Sequence, residues 1–507
     1  MIADASDAPG TLRTRVCIVG SGPAGMTVAL ELEKHGVDCI LLESGGREPD
    51  GGHMALGETA QVGIRTDAGN RIRALGGTSA VWGGLCRRLD AHDFERRPWV
   101  PHSGWPIGLP DLLPHYETAH RLLGLPPAEY DPARVDPARG SDVPLRGGDL
   151  YNVAFYYNGR PMRFGEHYAP ALEASRRIHT WLDATVVDLE TDADGRRVVA
   201  AVATTLAGRR FRVEADRFVV ACGAIQNARL LLNARGLAVA HGRVGRFFLQ
   251  HPVWYEPRLL TWDLSQTLRT RRSDRAEVVM TTAIRPEAAE RHGLLSFHFM
   301  TIRPAPTPGL DEPRRLWRHW RKRAPELFAE PTDDEAVADW LTGLQRAVGP
   351  GGAGDPQDNG MEIRPEQAPN PESRIRLSDE RDATGLRRAV MDWRLGDLDR
   401  ESLAKGARLV ARSLALADVG RVRAGAEALH VPDPGGDWLH GGNHHYGTTR
   451  MSDSPRHGVV DRDCRVHGTA NLYVAGSSVF PTTGYANPTL TIVALSARLA
   501  ETLSRSR

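Results

Sequence analysis

The segment Arg15-Val-Cys-Ile-Val-Gly20-Ser-Gly22-Pro23-Ala24-Gly25 constrains this chain more than any other part of it. A β-branched apolar run enters a G-x-G-x-x-G turn, and Met26 to His35 then reads as a helix. Val37 to Glu43 follows as a second apolar run that ends in an acid. In such a unit Gly20 permits a tight turn, Gly22 lets a pyrophosphate approach the backbone, and Gly25 lets helix and strand pack closely. The helix N-terminus turns its positive end toward the phosphates. Glu43 stands at the spacing of the acid that accepts hydrogen bonds from an adenosine ribose. The unit predicts dinucleotide binding, with a glycine-rich turn in some other βαβ unit as the competing reading. The motif by itself does not separate FAD from NAD.

A second glycine cluster runs Leu75-Gly76-Gly77-Thr78-Ser79-Ala80-Val81-Trp82-Gly83-Gly84. Small residues there let backbone N–H groups lie against a flat ligand; a bland glycine loop has the same composition. Pro110 to Leu123 reads as a helix, and 126–150, rich in Pro, Asp and Gly, as a lid. Strands are expected at Val186 to Leu189, Val198 to Ala203, Phe211 to Val213 and Phe218 to Ala221, then a helix from Ile225 to Leu232. Ala276 to Ile284 and Leu295 to Ile302 read as strands of a separate sheet. The basic stretch Arg314 to Arg323, followed by acidic Asp333-Asp-Glu, reads as a balanced amphipathic helix pair. The tail is dense again: Gly442-Asn443-His444-His445-Tyr446-Gly447-Thr448, the strand-like run to Gly476-Ser477, and Asn487-Pro488-Thr489 before a helix from Leu490 to Leu503. Pro488 suits a first helical turn and Asn487 an N-cap.

Composition narrows the functional class. With 64 basic and 63 acidic residues, net charge +1, no whole-protein field draws in nucleic acid. Lys34, Lys322 and Lys405 are the only lysines, and none sits in a motif that suits Schiff-base chemistry. Cys17, Cys39, Cys86, Cys222 and Cys464 form no CxxC pair, so neither zinc nor a disulfide framework is indicated. No apolar run of ~18 residues occurs, so no membrane span is expected. The start lacks a basic and an apolar region, so no secretory signal is read and the expected compartment is the cytoplasm.

In their order, these blocks resemble the glucose–methanol–choline (GMC) family of FAD oxidoreductases. The matching blocks are Gly20 to Gly25 with Glu43, Gly76-Gly-Thr-Ser with Trp82, and Ala221-Cys-Gly-Ala-Ile-Gln-Asn-Ala-Arg-Leu. They continue with Val244-Gly-Arg-Phe-Phe-Leu-Gln-His251-Pro, Glu366-Gln-Ala-Pro-Asn-Pro-Glu-Ser-Arg, the HxxGT block at His444, and Asn487-Pro-Thr-Leu. The details are similar to a bacterial branch of pyranose oxidases, sugar and polyol dehydrogenases, and enzymes acting on glycosides and aminoglycosides.

The resemblance implies an α/β fold: a Rossmann-like FAD-binding domain of the p-hydroxybenzoate-hydroxylase-like type, with a substrate domain on an antiparallel sheet flanked by helices. It divides the chain into a discontinuous FAD-binding domain (12–95, 165–256 and 440–507) and a lid and substrate-binding domain (96–164 and 257–439). It implies that Gly20, Gly22, Pro23, Ala24, Gly25 and Glu43 hold the ADP half of FAD. Gly76, Gly77, Ser79 and Trp82 would lie along the flavin and pyrophosphate, Gly476 and Ser477 by the ribityl phosphate, and Pro488 and Thr489 by the ring. Val81 stands where some relatives attach FAD through histidine, so non-covalent FAD is expected.

The family's base maps to His444 and its partner to Asn487. Oxidising an alcohol sends a hydride to the flavin and a proton to a base, and an imidazole with a pKa of about 6.5 suits that task. Asn487 would hydrogen-bond the substrate oxygen. His445 is the rival to His444, and register favours His444. His251 reads as structural and His467 as a turn residue. The expected reaction is oxidation of a hydroxyl on a sugar-like molecule to an aldehyde or ketone, with a secondary-metabolite tailoring role as a further expectation and oxygen or a quinone as electron acceptor. The alternatives are a lyase of the same fold, an oxidase of non-sugar alcohols or steroids, an NAD-dependent dehydrogenase, and a non-catalytic binding protein. Oligomeric state is not legible in the sequence.

Overall fold

The computed structural model describes residues 1–505 except 65, 67–69, 136–147, 158–160, 238–241, 256, 262–268, 273–276, 303–356, 418–419 and 424–438. The first βαβ unit forms where its residue pattern places it. The strand Thr11–Val19 buries its last four residues, and Pro23 opens the helix Pro23–Lys34. The fully buried strand Cys39–Leu42 returns parallel to the first.

These strands sit inside an eight-stranded sheet. Its order is Ile2–Asp4, Ile178–Leu182, Cys39–Leu42, Thr11–Val19, Arg210–Val220, Val198–Thr204 and Thr185–Thr191, with Leu472–Val474 beside Arg210–Val220. The core pairings are parallel, as crossover helices require, and the last two strands add an antiparallel meander. The two strands expected at Phe211 to Val213 and Phe218 to Ala221 are one strand of 11 residues. Glu214, Ala215 and Arg217 carry the ladder across, opposite Arg13, Thr14 and Val16. The polar side chains of Glu214 and Arg217 hide a continuity that backbone pairing preserves.

A second sheet of ten strands is antiparallel throughout its pairings. It includes Glu277–Ile284 and Phe297–Ile302, close to their expected positions, and Gln357–Pro365. It also takes in Leu150–Tyr157, which the sequence reading left in and just beyond the lid. A small third sheet joins Arg374–Arg381, Arg387–Trp393 and Thr59–Gly63. The fold is therefore α/β, a parallel nucleotide-type sheet beside an antiparallel one.

The C-terminal helix Pro488–Arg505 packs against both Pro23–Lys34 and Leu109–Leu122. A 2.8 Å hydrogen bond between Tyr116 Oη and Thr491 Oγ1 ties it to the latter. This packing fixes the start of that helix, and hence Asn487, next to the first βαβ unit. Residues 136–147 of the expected lid and all of Arg314 to Arg323 lie outside the described residues. All five cysteines are free. Among the described residues no helix is long and apolar enough to cross a membrane.

Candidate active site

A cavity of about 490 Å³ lies where the parallel strands end, the position at which doubly wound sheets bind nucleotides. Gly20, Gly22, Pro23, Ala24 and Glu43 all line it. Gly20 has φ +103°, and a Cβ there would stand 2.7 Å from the Ala221 carbonyl oxygen. Gly25 does not line the cavity: its Cβ would fall 1.9 Å from the Gly20 oxygen, so its role is to bring helix and turn together. Glu43 is buried. Its Oε2 accepts from Ser21 N (2.9 Å) and Ser21 Oγ (2.6 Å), and its Oε1 from Gly45 N (2.9 Å).

The second glycine cluster forms the facing wall. Gly77, Ser79 and Trp82 line the cavity. Gly76 lies behind them, packed on the backbone of Gly165. The Ser79 hydroxyl is spent within the wall, donating to Gly76 O (2.7 Å) and accepting from Phe164 N (3.0 Å). Trp82 Nε1 donates to Met162 O (2.8 Å), which holds the indole in place.

From the tail, His444, His445, Gly476, Ser477, Asn487, Pro488 and Thr489 reach the same cavity. Residues 444–446 and 484–487 are cross-linked around it. His251 Nε2 lies 2.9 Å from Gly484 O, and His251 Nδ1 lies 3.0 Å from His444 Nδ1. Tyr446 Oη donates to Ala486 O (3.5 Å), and Ser477 Oγ to His445 O (2.6 Å). Burial pushes the His444 pKa well down, with the nearby His251 and Arg364 acting the same way, so the ring is neutral and keeps a lone pair on one nitrogen. His445 is also neutral, pushed down to about 3 by burial and Arg71, but its ring packs 5.7 Å from Phe248. The Asn487 Oδ1 accepts a long hydrogen bond from Arg364 Nη1 (3.5 Å).

Arg71 and Arg73 also line this cavity, and sequence reasoning missed them. Arg73 Nη1 donates to Ser44 Oγ (2.7 Å) and Arg71 Nη2 to Thr59 Oγ1 (3.1 Å). The Arg71 Nη1 and Arg73 Nε atoms are buried with no hydrogen-bond partner. Burial, with Arg73 and Arg229 nearby, lowers the Arg71 pKa to about 10, which leaves it charged at neutral pH. Unpartnered buried cations are costly, and an anionic guest supplies the acceptors they lack. Their signal was present as two arginines just ahead of Gly76. Arg364 had no local signal, since it sits in a strand with no motif. Among the described residues no group of side chains could hold a metal ion.

Residues 15–352 match the FAD dependent oxidoreductase family, and residues 369–496 match the GMC oxidoreductase family. The chain therefore belongs to the FAD-dependent oxidoreductases of the GMC type, which act on CH–OH donors and use FAD. The cavity fits that cofactor: it has the glycine turn, the helix N-terminus, the buried acid and two unsatisfied guanidinium groups. Paromamine 6'-oxidase of Streptomyces fradiae is 26% identical, spanning 96% of this chain and 91% of that protein. The fructose dehydrogenase large subunit of Gluconobacter japonicus is 22% identical over 97% of this chain and 98% of its own length. A formate oxidase structure from Aspergillus oryzae shares the fold, with TM-score 0.56 at 16% identity, covering 98% of this chain and 99% of that one.

Proposed function

We propose that this enzyme oxidises a hydroxyl of a sugar-like molecule (a sugar, glycoside, polyol or aminoglycoside intermediate) to an aldehyde or ketone. His444 and Asn487, from separate tail segments, line one cavity with the glycine turn at Gly20 and Gly22, and this observation carries the reading. Bound FAD supplies the acceptor for the hydride that leaves the substrate carbon. His444 takes the hydroxyl proton as general base, which its neutral ring suits. Asn487 donates from its amide to the substrate oxygen and steadies the charge that develops there. Two neutral groups favour a hydroxyl over a carboxylate as the guest.

The substrate class is supported by relatives named for paromamine, 6'''-hydroxyparomomycin C, fructose and 2-methyl-1,2-propanediol. An antibiotic-tailoring role follows from the first two. FAD is held without a covalent bond, because the wall position next to Trp82 is Val81; acid precipitation then leaves the yellow colour in solution. Residues 12–95, 165–256 and 440–507 form the cofactor-binding part, and 96–164 with 257–439 the lid and substrate part. Five free cysteines suit a reducing compartment, and we assign the cytoplasm.

The test is anaerobic mixing of the flavoprotein with sugars, polyols, glycosides and aminoglycosides. Bleaching of the flavin band by members of this group is the expected outcome. Bleaching by steroids or simple alcohols alone overturns the substrate class, and turnover without bleaching identifies a lyase. Reoxidation by air or by a quinone then assigns the electron acceptor.

A further inference from the structure

We infer that His251 is a positioning residue that sets the tautomer of His444 so that Nε2 is the nitrogen left bare to take a proton. The inference rests on the reading of His444 as the base. His251 is fully buried, and both its nitrogens have partners. Its Nε2 lies 2.9 Å from the Gly484 carbonyl oxygen, which only accepts, so Nε2 must carry the proton. Burial and the nearby Arg364 lower the His251 pKa to about 3, so the ring is neutral and holds one proton only. Its Nδ1 is therefore an acceptor.

That acceptor lies 3.0 Å from His444 Nδ1. Two bare nitrogens at that distance would repel, so His444 Nδ1 carries a proton and donates it. His444 is neutral for the same physical reason, and its Nε2 is then the lone-pair nitrogen of a ring lining the cavity. The ring planes stand at 84° with centroids 5.1 Å apart, and the 3.0 Å contact brings the rings together nitrogen to nitrogen. The ionisable or polar groups around His251 are His444, Arg364, His298 and Tyr446. Tyr446 Oη is 3.4 Å from His251 Nε2, and the shorter contact to Gly484 sets the proton's place. The relay runs from the Gly484 carbonyl, through the His251 imidazole, to the base.

Nitrogen NMR of the FAD-loaded protein with ¹⁵N-labelled histidine reads the tautomer directly, the His444 signals being assigned by their loss in His444→Ala. A protonated Nδ1 with a bare Nε2 is expected for His444, and a protonated Nε2 overturns the inference whatever the activity. In kinetics, His251→Leu slows flavin reduction on the order of 10²-fold, with KM and flavin content near those of the parent. His251→Asn places its Oδ1 where Nδ1 stood, so it recovers most of that loss. Equal losses in the two variants, or a loss explained by missing FAD, overturn the relay. If no sugar-like substrate reduces the parent flavin, the functional reading fails, while the NMR result still decides the tautomer.

Discussion

Arg364 Nη1 stands 3.5 Å from Asn487 Oδ1, and this contact decides which end of the amide the cavity meets. A guanidinium has donors only, so the carbonyl end of Asn487 faces Arg364 and Nδ2 remains for a guest oxygen. Arg364 is itself steadied by Glu362, 2.5 Å from its Nη2. Replacing Asn487 by Asp removes the sole donor and leaves two acceptors. Stopped-flow flavin reduction should fall about 10²- to 10³-fold in Asn487→Asp, the usual loss of an oxyanion donor. A rate within about threefold of the parent would remove Asn487 from the chemistry.

His444→Ala removes the proposed base and nothing that holds FAD through a charge. Flavin reduction should drop about 10²- to 10⁴-fold while the protein stays yellow. His445→Ala is the control: a larger effect there than in His444→Ala would reverse the assignment of the two neighbours.

Arg73→Met should separate cofactor affinity from apoprotein stability. A lost charged hydrogen bond to an anion of about 1.5–3 kcal/mol weakens FAD roughly 10- to 100-fold, read by titrating apoprotein with FAD. The same change relieves a buried Nε that lacks a partner in the protein. The apoprotein should therefore melt no lower than its parent, even though the holoenzyme does. Unchanged FAD affinity would show that this guanidinium faces no anionic group.

Stability should fall on mild acidification. His251 and His445 have pKa values lowered to about 3, and His298 and His444 are lowered too, all chiefly by burial. Below about pH 6.5 the unfolded chain binds protons that these folded rings refuse, so each loss grows as pH falls toward the folded value. For His251 this reaches about 2 kcal/mol at pH 5. Asp93 and Asp399, raised to about 6 and about 7 by burial, work the other way: their contribution fades as pH rises from about 4. Four rings outweigh two acids, so the holoenzyme Tm should be lower at pH 4.5 than at pH 6.5. A Tm that rises over that step contradicts this balance.

Gly25→Ala should abolish FAD binding or folding, because its Cβ would sit 1.9 Å from the Gly20 oxygen. Gly22→Ala meets nothing within 4 Å in the protein. It should fold and lose FAD affinity alone, since the added methyl enters the cavity. Near-UV circular dichroism of the two apoproteins distinguishes these outcomes.

Local chemistry made much of this protein legible. Gly20 to Glu43 wrote out a turn, a helix and a second strand within one short stretch, where each residue type has a backbone reason. The same holds for Pro488 at a helix start and for the strands Glu277–Ile284 and Phe297–Ile302, which keep an apolar pattern. The strand Arg210–Val220 was read as two because its middle is polar, and the ladder that joins it lies in a distant partner.

The sequence by itself determined the nucleotide-type unit and the enzyme class, and it singled out His444 and Asn487 for the proposed chemistry, because these readings depend on residue identity at short spacing. Tertiary structure alone decided what surrounds them. Arg364 reaches Asn487 from a strand 123 positions away, and His251 reaches His444 across 193. No local pattern encodes such contacts, since sheet pairing and helix packing create them after the chain has closed on itself. The direction of an amide and the place of a proton follow from those contacts.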